Sequence, residues 1–163
     1  GVGITALSAN NRRGIFYPLQ TFSKNTKVDF SVVPVCIEAE NPTDEALLKK
    51  LGHGISQTVV NLSSEEREKL HVAAVFVNNF TNHLYQIAEI LTTENGIDFK
   101  LLHPLIAETA RKMEHSNPSE VQTGPAKRND IKTIEKHLKL LEGSQFQPLY
   151  KALTHSIQHG KKL

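Results

Sequence analysis

One long stretch decides the fold: residues 63–96 read SSEEREKLHVAAVFVNNFTNHLYQIAEILTTENG. Ser63 and Glu66 have the spacing of a capping box, which predicts the start of a helix. Asn95 and Gly96 predict its end, because a left-handed residue at that position costs little free energy. The roughly 30 residues between these signals would form a rod on the order of 45 Å long. The stretch therefore predicts a single long helix.

Apolar side chains cover more than half of the circumference of this predicted helix. They recur with helical spacing and are Leu70, Ala73, Phe76, Val77, Phe80, Leu84, Ile87, Ala88 and Leu91. A helix with so wide an apolar surface is typically buried among other helices. We therefore predict a helical bundle built around this one central helix.

A polar strip interrupts the apolar surface. At about 100° per residue it occupies roughly a quarter of the circumference, and its members are Arg67, His71, Asn78, Asn82, Gln86 and Glu89. The strip can face solvent or a polar domain interface, as surface side chains commonly do. It can also line a ligand cleft, in which a few polar groups are set in an apolar wall. The residues by themselves leave both interpretations open.

The segment before the long helix has an α/β pattern. Apolar, β-branched runs predict three strands, and a short helix is predicted between the second and the third; the bounds are Gly14 to Pro18, Ser31 to Glu38, Asp44 to Leu51 (helix) and Ile55 to Leu62. Pro34 favours an edge position or a bulge for the second strand. Three strands make a thin sheet, which predicts that residues 1–62 are the remnant of a larger α/β domain.

After Gly96 the pattern is helical throughout. Pro104 fits the first turn of one helix, and Asn129 is predicted to cap another that runs from Ile131 to Leu141. A last amphipathic helix is predicted from Gln145 to His159. The predicted fold class is therefore an α/β remnant, residues 1–62, followed by an all-α region, residues 63–163.

The composition is that of an ordinary globular chain. Its 163 residues are 39% hydrophobic and 22% charged, with a formal net charge of +2. The basic residues are scattered, which argues against a nucleic-acid partner. No apolar run approaches the 18 or so residues of a membrane span. Cys36 is the only cysteine, so no disulfide framework is possible and a reducing cytoplasmic setting is expected.

Three stretches of the chain resemble a known family when they are taken together. They are FYPLQTFS (residues 16–23), HVAAVFVNNFTNHL (residues 71–84) and QTGPAKRND (residues 122–130). In this order they resemble the C-terminal part of Rossmann-like NAD(P)-dependent oxidoreductases that carry the domain of unknown function 2520. The helical half of such proteins is similar to the C-terminal helical domain of 6-phosphogluconate dehydrogenase.

The resemblance implies a longer parent protein with NAD or NADP as its cofactor. It implies that residues 1–62 are the C-terminal remnant of the Rossmann-like domain, and that residues 63–163 close the substrate site and form a homodimer. The glycine-rich βαβ unit that cradles a dinucleotide is absent here, so this chain alone is expected to hold no cofactor. The lysine and asparagine pair that hydroxyacid dehydrogenases carry on their long helix is absent as well.

His71 is the candidate catalytic residue. Hydride transfer requires an oriented substrate, a proton donor or acceptor, and a dry cleft. An imidazole titrates near neutrality and can fill the proton-transfer role. The alternative is a histidine packed near the start of a helix without a chemical role.

Amide and hydroxyl side chains are the first group of candidate substrate contacts. Asn78 and Asn82 can orient a carboxylate or a carbonyl through their amide donors. Gln20 and Thr21 follow the end of a strand, which is where open α/β sheets bind their ligands. The alternative for Gln20 and Thr21 is capping of the loop in which they lie.

A basic turn is the second group of candidate substrate contacts. Arg128 follows Thr123 and Gly124 closely and can hold a carboxylate or a phosphate in bidentate fashion. The alternative is an ion pair with Asp130 or Glu135. Thr123, Gly124 and Arg128 are therefore predicted as substrate-binding residues with this alternative open.

Two other chemistries are disfavoured. His155 and His159 have i, i+4 spacing, but no third ligand accompanies them, and no metal site is predicted. Cys36 lies inside a predicted strand without a base partner, so nucleophilic catalysis is not predicted either.

Two hypotheses follow for the function. In the first, the chain is the C-terminal portion of an NAD(P)-dependent oxidoreductase and contributes substrate-cleft residues and the dimer interface. In the second, it is a non-catalytic helical module for dimerisation or interaction. The first hypothesis predicts that Gln20, Thr21 and the polar strip line one cleft together with Arg128.

Overall fold

A computed structural model describes residues 2–160 of the chain. The packing divides into two compact units, one ending at Leu84 and the other starting at Tyr85. A three-stranded sheet lies in the first unit and is followed by mostly helical structure, which confirms the predicted fold class. The division falls inside the long helix, and the domain boundary predicted between residues 62 and 63 stays a prediction.

The sheet is mixed. Strand β1 (Gly14–Pro18) pairs antiparallel with β2 (Val35–Ala39), and β2 pairs parallel with β3 (Val59–Asn61). Helix α1 (Pro42–His53) connects the two parallel strands, because parallel neighbours need a crossover connection. The three strands and the short helix occur in the predicted order, although β2 and β3 are shorter than predicted.

The prediction of an edge position or a bulge at Pro34 is wrong. Strand β2 is the central strand of the sheet, in the order β1-β2-β3. Pro34 directly precedes its first residue, Val35, so the missing N–H removes no hydrogen bond from the ladder. The carbonyl of Pro34 accepts a hydrogen bond from the backbone N–H of Leu19 at 2.8 Å.

The core of the first unit is the central strand. Val35, Cys36 and Ile37 are buried on both faces of the sheet, together with Val33 just before it. A strand covered on both sides is expected to be continuously apolar, as this one is. Burial raises the pKa of the Cys36 thiol, which keeps it protonated and unreactive.

The long helix has three parts. Helix α2 (Ser64–Ala74) is followed by a π-helical segment (Val75–Phe80) and by α3 (Thr81–Glu94). Both predicted ends are confirmed. The capping box of Ser63 and Glu66 is formed, and Gly96 follows the helix with a φ of 69°. Regular helical spacing in the sequence did not predict the π-helical segment.

The prediction that this helix is buried among other helices is wrong for its middle part. Phe76 and Val77 are 62% and 77% exposed, and Val72 and Phe80 are exposed as well. Further along, Ile87 is buried. Periodicity shows which faces of a helix are apolar, but it carries no information about what covers them.

A buried ion pair fastens α2 to the central strand. Nη1 of Arg67 donates to Oε2 of Glu38 at 2.8 Å, and the two side chains are 6% and 15% exposed. The Ser64 hydroxyl donates to the same oxygen at 2.7 Å, and Nη2 of Arg67 donates to the carbonyl of Val2 at 3.1 Å. Burial opposes ionisation of Glu38, but the hydrogen bonds from Arg67 and Ser64 outweigh it, so the pKa of Glu38 is lowered.

The second unit is helical. Its further helices are α4 (His103–Lys112), the short α5 (Pro118–Val121), α6 (Ile131–Leu140) and α7 (Gln147–His159). Helices α6 and α7 pack together, with Nδ1 of His137 2.8 Å from the Tyr150 hydroxyl. Within residues 2–160, no helix combines the length and the apolar character that crossing a membrane requires.

The predicted N-cap of α6 is wrong by one residue. Asp130 is the cap, and its carboxylate accepts a hydrogen bond from the backbone N–H of Thr133 at 3.1 Å. Asn129 has a positive φ of 53°, a left-handed conformation that asparagine tolerates and that an N-cap does not adopt.

Replacing Glu38 by glutamine tests the buried ion pair. The change leaves the charge of Arg67 buried without its partner, so we expect the free energy of unfolding to fall by about 3 kcal/mol in urea titrations at pH 7. The exposed pair of Glu65 and Lys69 is the matched control. Glu65→Gln should cost less than about 1 kcal/mol, and equal effects of the two changes would contradict the analysis.

The same pair predicts an acid-dependent stability. Because the folded-state pKa of Glu38 is lowered, its contribution is present above the ordinary glutamate value of about 4.3 and is lost as the pH falls below it. The difference in unfolding free energy between the unmodified chain and Glu38→Gln should therefore shrink as the pH is lowered from 6 to 3. A difference that stays constant over this range would contradict the lowered pKa.

Candidate functional site

A cleft of about 740 Å³ lies in the first unit, between the loop after β1 and the long helix. Its volume falls within the roughly 300–1,000 Å³ that is typical of small-molecule sites. The polar lining residues are Tyr17, Gln20, Thr21, His71, Asn78 and Asn79. The apolar ones are Leu19, Phe22, Leu70, Ala73, Ala74, Val75 and Val77.

The loop side of the cleft is positioned by the end of β1. Strand β1 stops at Pro18, and the N–H of Gln20 donates to the Pro18 carbonyl at 3.1 Å. The side-chain oxygen of Gln20 accepts from the backbone N–H of Thr21 at 2.8 Å. This is the loop capping that the sequence left open as an alternative. It uses only the oxygen, so the NH₂ group of Gln20 is the donor that it can offer to a ligand.

The helix side of the cleft is shaped by the π-helical segment. A π turn contains one residue more than an α turn, and such turns occur frequently at functional sites. Asn78 and Asn79 lie in this wide turn, and both line the cleft. The Thr81 hydroxyl donates to the Phe76 carbonyl at 3.0 Å and so satisfies a backbone group near the start of the segment.

Asn82 is not among the lining residues of the cleft. It lies in the first turn of α3, beyond the irregular π-helical turn. The sequence contained a signal for this irregularity, because Asn78, Asn79 and Asn82 are poor helix formers clustered in a short interval.

Four of the predicted site residues line one cleft. These are Gln20 and Thr21 on the loop side and His71 and Asn78 on the helix side. Asn79 lines it as well and was missed by the strip defined on regular periodicity. The chemical roles of these residues stay predictions.

Thr123, Gly124 and Arg128 belong to the second unit. They form a turn in which Gly124 has a φ of 102° and its carbonyl accepts from the backbone N–H of Arg128 at 3.3 Å. The pKa of Asp130 is lowered mainly by hydrogen bonds from Thr133, with a smaller contribution from the charge of Arg128. The ion pair that the sequence left open as the alternative for Arg128 stays a prediction.

A second cavity of about 310 Å³ adjoins the cleft and shares Tyr17 and His71 with it. The two charged residues in its lining are Arg67 and Glu68. Arg67 is bound to Glu38, so its charge is already compensated. His71 therefore stands on a wall common to both cavities and can exchange a proton with a group in either.

Metal chemistry has no structural support in the part of the chain that is described. Residues 2–160 contain no group of three or more histidine, cysteine, aspartate or glutamate side chains placed to hold a metal ion. The rings of His155 and His159 are 4.5 Å apart between centroids, but a ring pair alone does not complete a coordination shell.

The fold and the cleft define the class of the protein. A small mixed sheet is followed by a mostly helical region, and the first part of the long helix lines a ligand-sized cleft together with the end of a strand. The family model described as "Domain of unknown function (DUF2520)" matches residues 33–157. The chain therefore belongs to the DUF2520 family.

Two solved structures are similar to this chain. The "putative NADP oxidoreductase BF3122" from Bacteroides fragilis is 42% identical, with a TM-score of 0.90 over 96% of this chain and 61% of that one. Protein TM1727 from Thermotoga maritima is 23% identical, with a TM-score of 0.75 over 90% of this chain and 60% of that one. This chain thus spans about three-fifths of the length of either structure. No curated protein matches it.

Deleting Val77 tests whether the π-helical segment arises from one residue inserted into a regular α-helix. With one residue fewer, the turn can close with regular α-helical hydrogen bonds while α2 and α3 keep their faces. We expect the free energy of unfolding to change by no more than about 1 kcal/mol, while Asn78 and Asn79 no longer line one wall together.

Deletion of Glu89 from the regular part of α3 is the matched control. It rotates every later residue of the helix by about 100° and moves Ile90 and Leu91 off the covered face. Urea unfolding should show a loss of at least about 2 kcal/mol for this variant. Equal losses for the two deletions would show that Val75–Phe80 is not an insertion.

Proposed function

We propose that this chain is the substrate-side portion of an NAD(P)-dependent oxidoreductase. The observation that carries the proposal is the cleft, which collects Gln20, Thr21, His71 and Asn78 in one ligand-sized space. The likeness to BF3122, whose name describes an NADP oxidoreductase, supports the same reading. Because this chain spans about three-fifths of that structure, the activity belongs to a longer parent protein.

The dinucleotide is proposed to be held by another portion of the parent. Residues 2–160 contain no strand followed by a glycine-rich turn and a helix N-terminus, which is the unit that cradles a pyrophosphate. NAD or NADP, when bound to the parent, would supply the hydride chemistry. No residue of this chain is assigned to the cofactor.

The residues of the cleft have two proposed tasks. Gln20, Thr21 and Asn78 hold the substrate in one orientation through their amide and hydroxyl groups. His71 gives a proton to, or takes one from, a substrate oxygen or nitrogen. Thr123, Gly124 and Arg128 stay predicted contributors to substrate binding without a demonstrated place in this cleft. Asn82 does not line the cleft, and we do not propose it as a contact.

A reducing cytoplasmic setting is part of the same proposal. It is supported by Cys36, a buried free thiol that has no disulfide partner in the chain.

Ligand titrations followed by ¹⁵N NMR test the division of labour between this chain and its parent. We expect no saturable NADPH binding at concentrations up to about 1 mM, because the phosphate cradle is missing. A set of small carbonyl compounds should instead shift the backbone amides of Gln20, Thr21, His71 and Asn78. Asn78→Ala should weaken these shifts, while Asn82→Ala serves as the control on the same helix and should leave them unchanged.

The two possible failures of this experiment mean different things. Tight NADPH binding by this chain would overturn the proposal that the cofactor is held elsewhere. Small molecules that shift no cleft residue would remove the substrate-side role.

A homodimeric interaction module is the second candidate function. The observation that favours it is a row of exposed apolar side chains on the long helix, formed by Val72, Phe76, Phe80 and Leu84. The rings of Phe76 and Phe80 meet edge to face with centroids 5.0 Å apart. Exposed apolar patches of this kind often mark protein–protein interfaces. Dimerisation through this row is compatible with the oxidoreductase proposal and also stands without it.

Sedimentation equilibrium at tens of micromolar tests the dimer. We expect the unmodified chain to be a dimer. Phe76→Glu should raise the dissociation constant of this dimer by about 30-fold or more, because the change buries a charge in an apolar interface. Leu140→Glu is the control, since Leu140 lies on α6 and is exposed as well, at 75% against 62% for Phe76. If the unmodified chain is a monomer, or if both changes alter the dissociation constant equally, the proposed interface is contradicted.

A further inference from the structure

We infer that the cleft takes an uncharged polar group, such as a carbonyl, an amide or an alcohol, carried on an apolar body. Ligands whose recognised group is a carboxylate or a phosphate would bind there less well. This inference rests on the proposed function of the cleft as the substrate site, and it names the substrate class.

The lining of the cleft carries the inference. Its polar side chains are phenol, amide, hydroxyl and imidazole groups, and none of its described lining residues is lysine, arginine, aspartate or glutamate. The rest of the lining is apolar and includes Leu19, Phe22, Leu70 and Val75. A ligand that fits this wall therefore combines apolar surface with a few hydrogen-bonding atoms.

The buried cation that lies nearest to His71 along the helix already has an ion-pair partner. Arg67 lies one helical turn before His71, and its guanidinium is bound to Glu38 and to the carbonyl of Val2. Glu68, which lines the adjoining cavity, adds a negative side chain on that side of His71. Arg67 and Glu68 thus offer no net positive charge to an anionic ligand.

The missing counter-charge decides between ligand classes. A carboxylate that gives up part of its hydration in the cleft meets no lysine or arginine in the described lining, so it loses more free energy than a neutral amide or carbonyl. A neutral amide also matches the amide groups of the cleft, because it both donates and accepts hydrogen bonds. The NH₂ group of Gln20 can donate to a carbonyl oxygen, because its hydrogen bond with Thr21 uses only the side-chain oxygen.

Three probes with one apolar body test the inference on the full 163-residue chain. They are phenylacetamide, phenylacetate and 2-phenylethylamine, titrated at pH 8, above the range in which histidine side chains usually ionise. We expect the amide to bind at least about fivefold more tightly than either ion. The ¹⁵N shifts should centre on Gln20, Thr21 and Asn78.

Two variants and a control locate the binding. Asn78→Ala and Gln20→Ala should each weaken the binding of phenylacetamide by about fivefold. Far-ultraviolet circular dichroism should confirm that both variants fold. Asn82→Ala should leave it unchanged. Phenylacetate or 2-phenylethylamine binding as tightly as the amide at these residues would overturn the inference, while the cleft would remain a substrate site. If none of the three probes shifts the cleft residues, both the inference and the substrate-side proposal fail.

Discussion

The buried pair of Arg67 and Glu38 is the interaction on which the arrangement of the first unit depends. It joins the first turns of the long helix to the central strand, and Ser64 and the carbonyl of Val2 complete its hydrogen bonds. A buried pair of charges is stable only when its geometry and its remaining hydrogen bonds are satisfied. Because both requirements hold here, the helix leaves the sheet in one defined direction, and His71 is carried to the side of the β1 loop.

The cleft is a consequence of that direction and of one irregular helical turn. The π-helical segment contains Asn78 and Asn79, and both line the cleft. Rare helical geometry is retained where the surrounding structure or the function requires it. Neutral amides at this point, with the nearby arginine already paired, make the cleft polar without making it charged. The same segment exposes Phe76 and Phe80, so the proposed ligand surface and the proposed association surface lie on one element.

Much of the site could be predicted from local signals. Gln20 and Thr21 follow from the end of a strand, and His71 and Asn78 follow from the polar strip of a helix with well-marked ends. The strip included Asn82, which does not line the cleft, whereas Asn79, which only flanks the strip, does line it. Arg67 belonged to the same strip, yet it is a buried structural ion and not a ligand group. A sequence pattern does not distinguish these roles, because burial depends on residues that are distant along the chain, here Glu38 and Val2.

The sequence by itself determined the elements whose causes are local. The capping box at Ser63, the glycine after the long helix, the apolar run of β2 and the crossover helix α1 all depend on neighbours within a few residues. Only the tertiary structure decided that β2 is the central strand, that the middle of the long helix is exposed, and that an inserted residue widens its turn at the cleft. These features depend on which surfaces meet. Contacts between residues far apart in sequence determine which surfaces meet, and the periodicity of the sequence does not report such contacts.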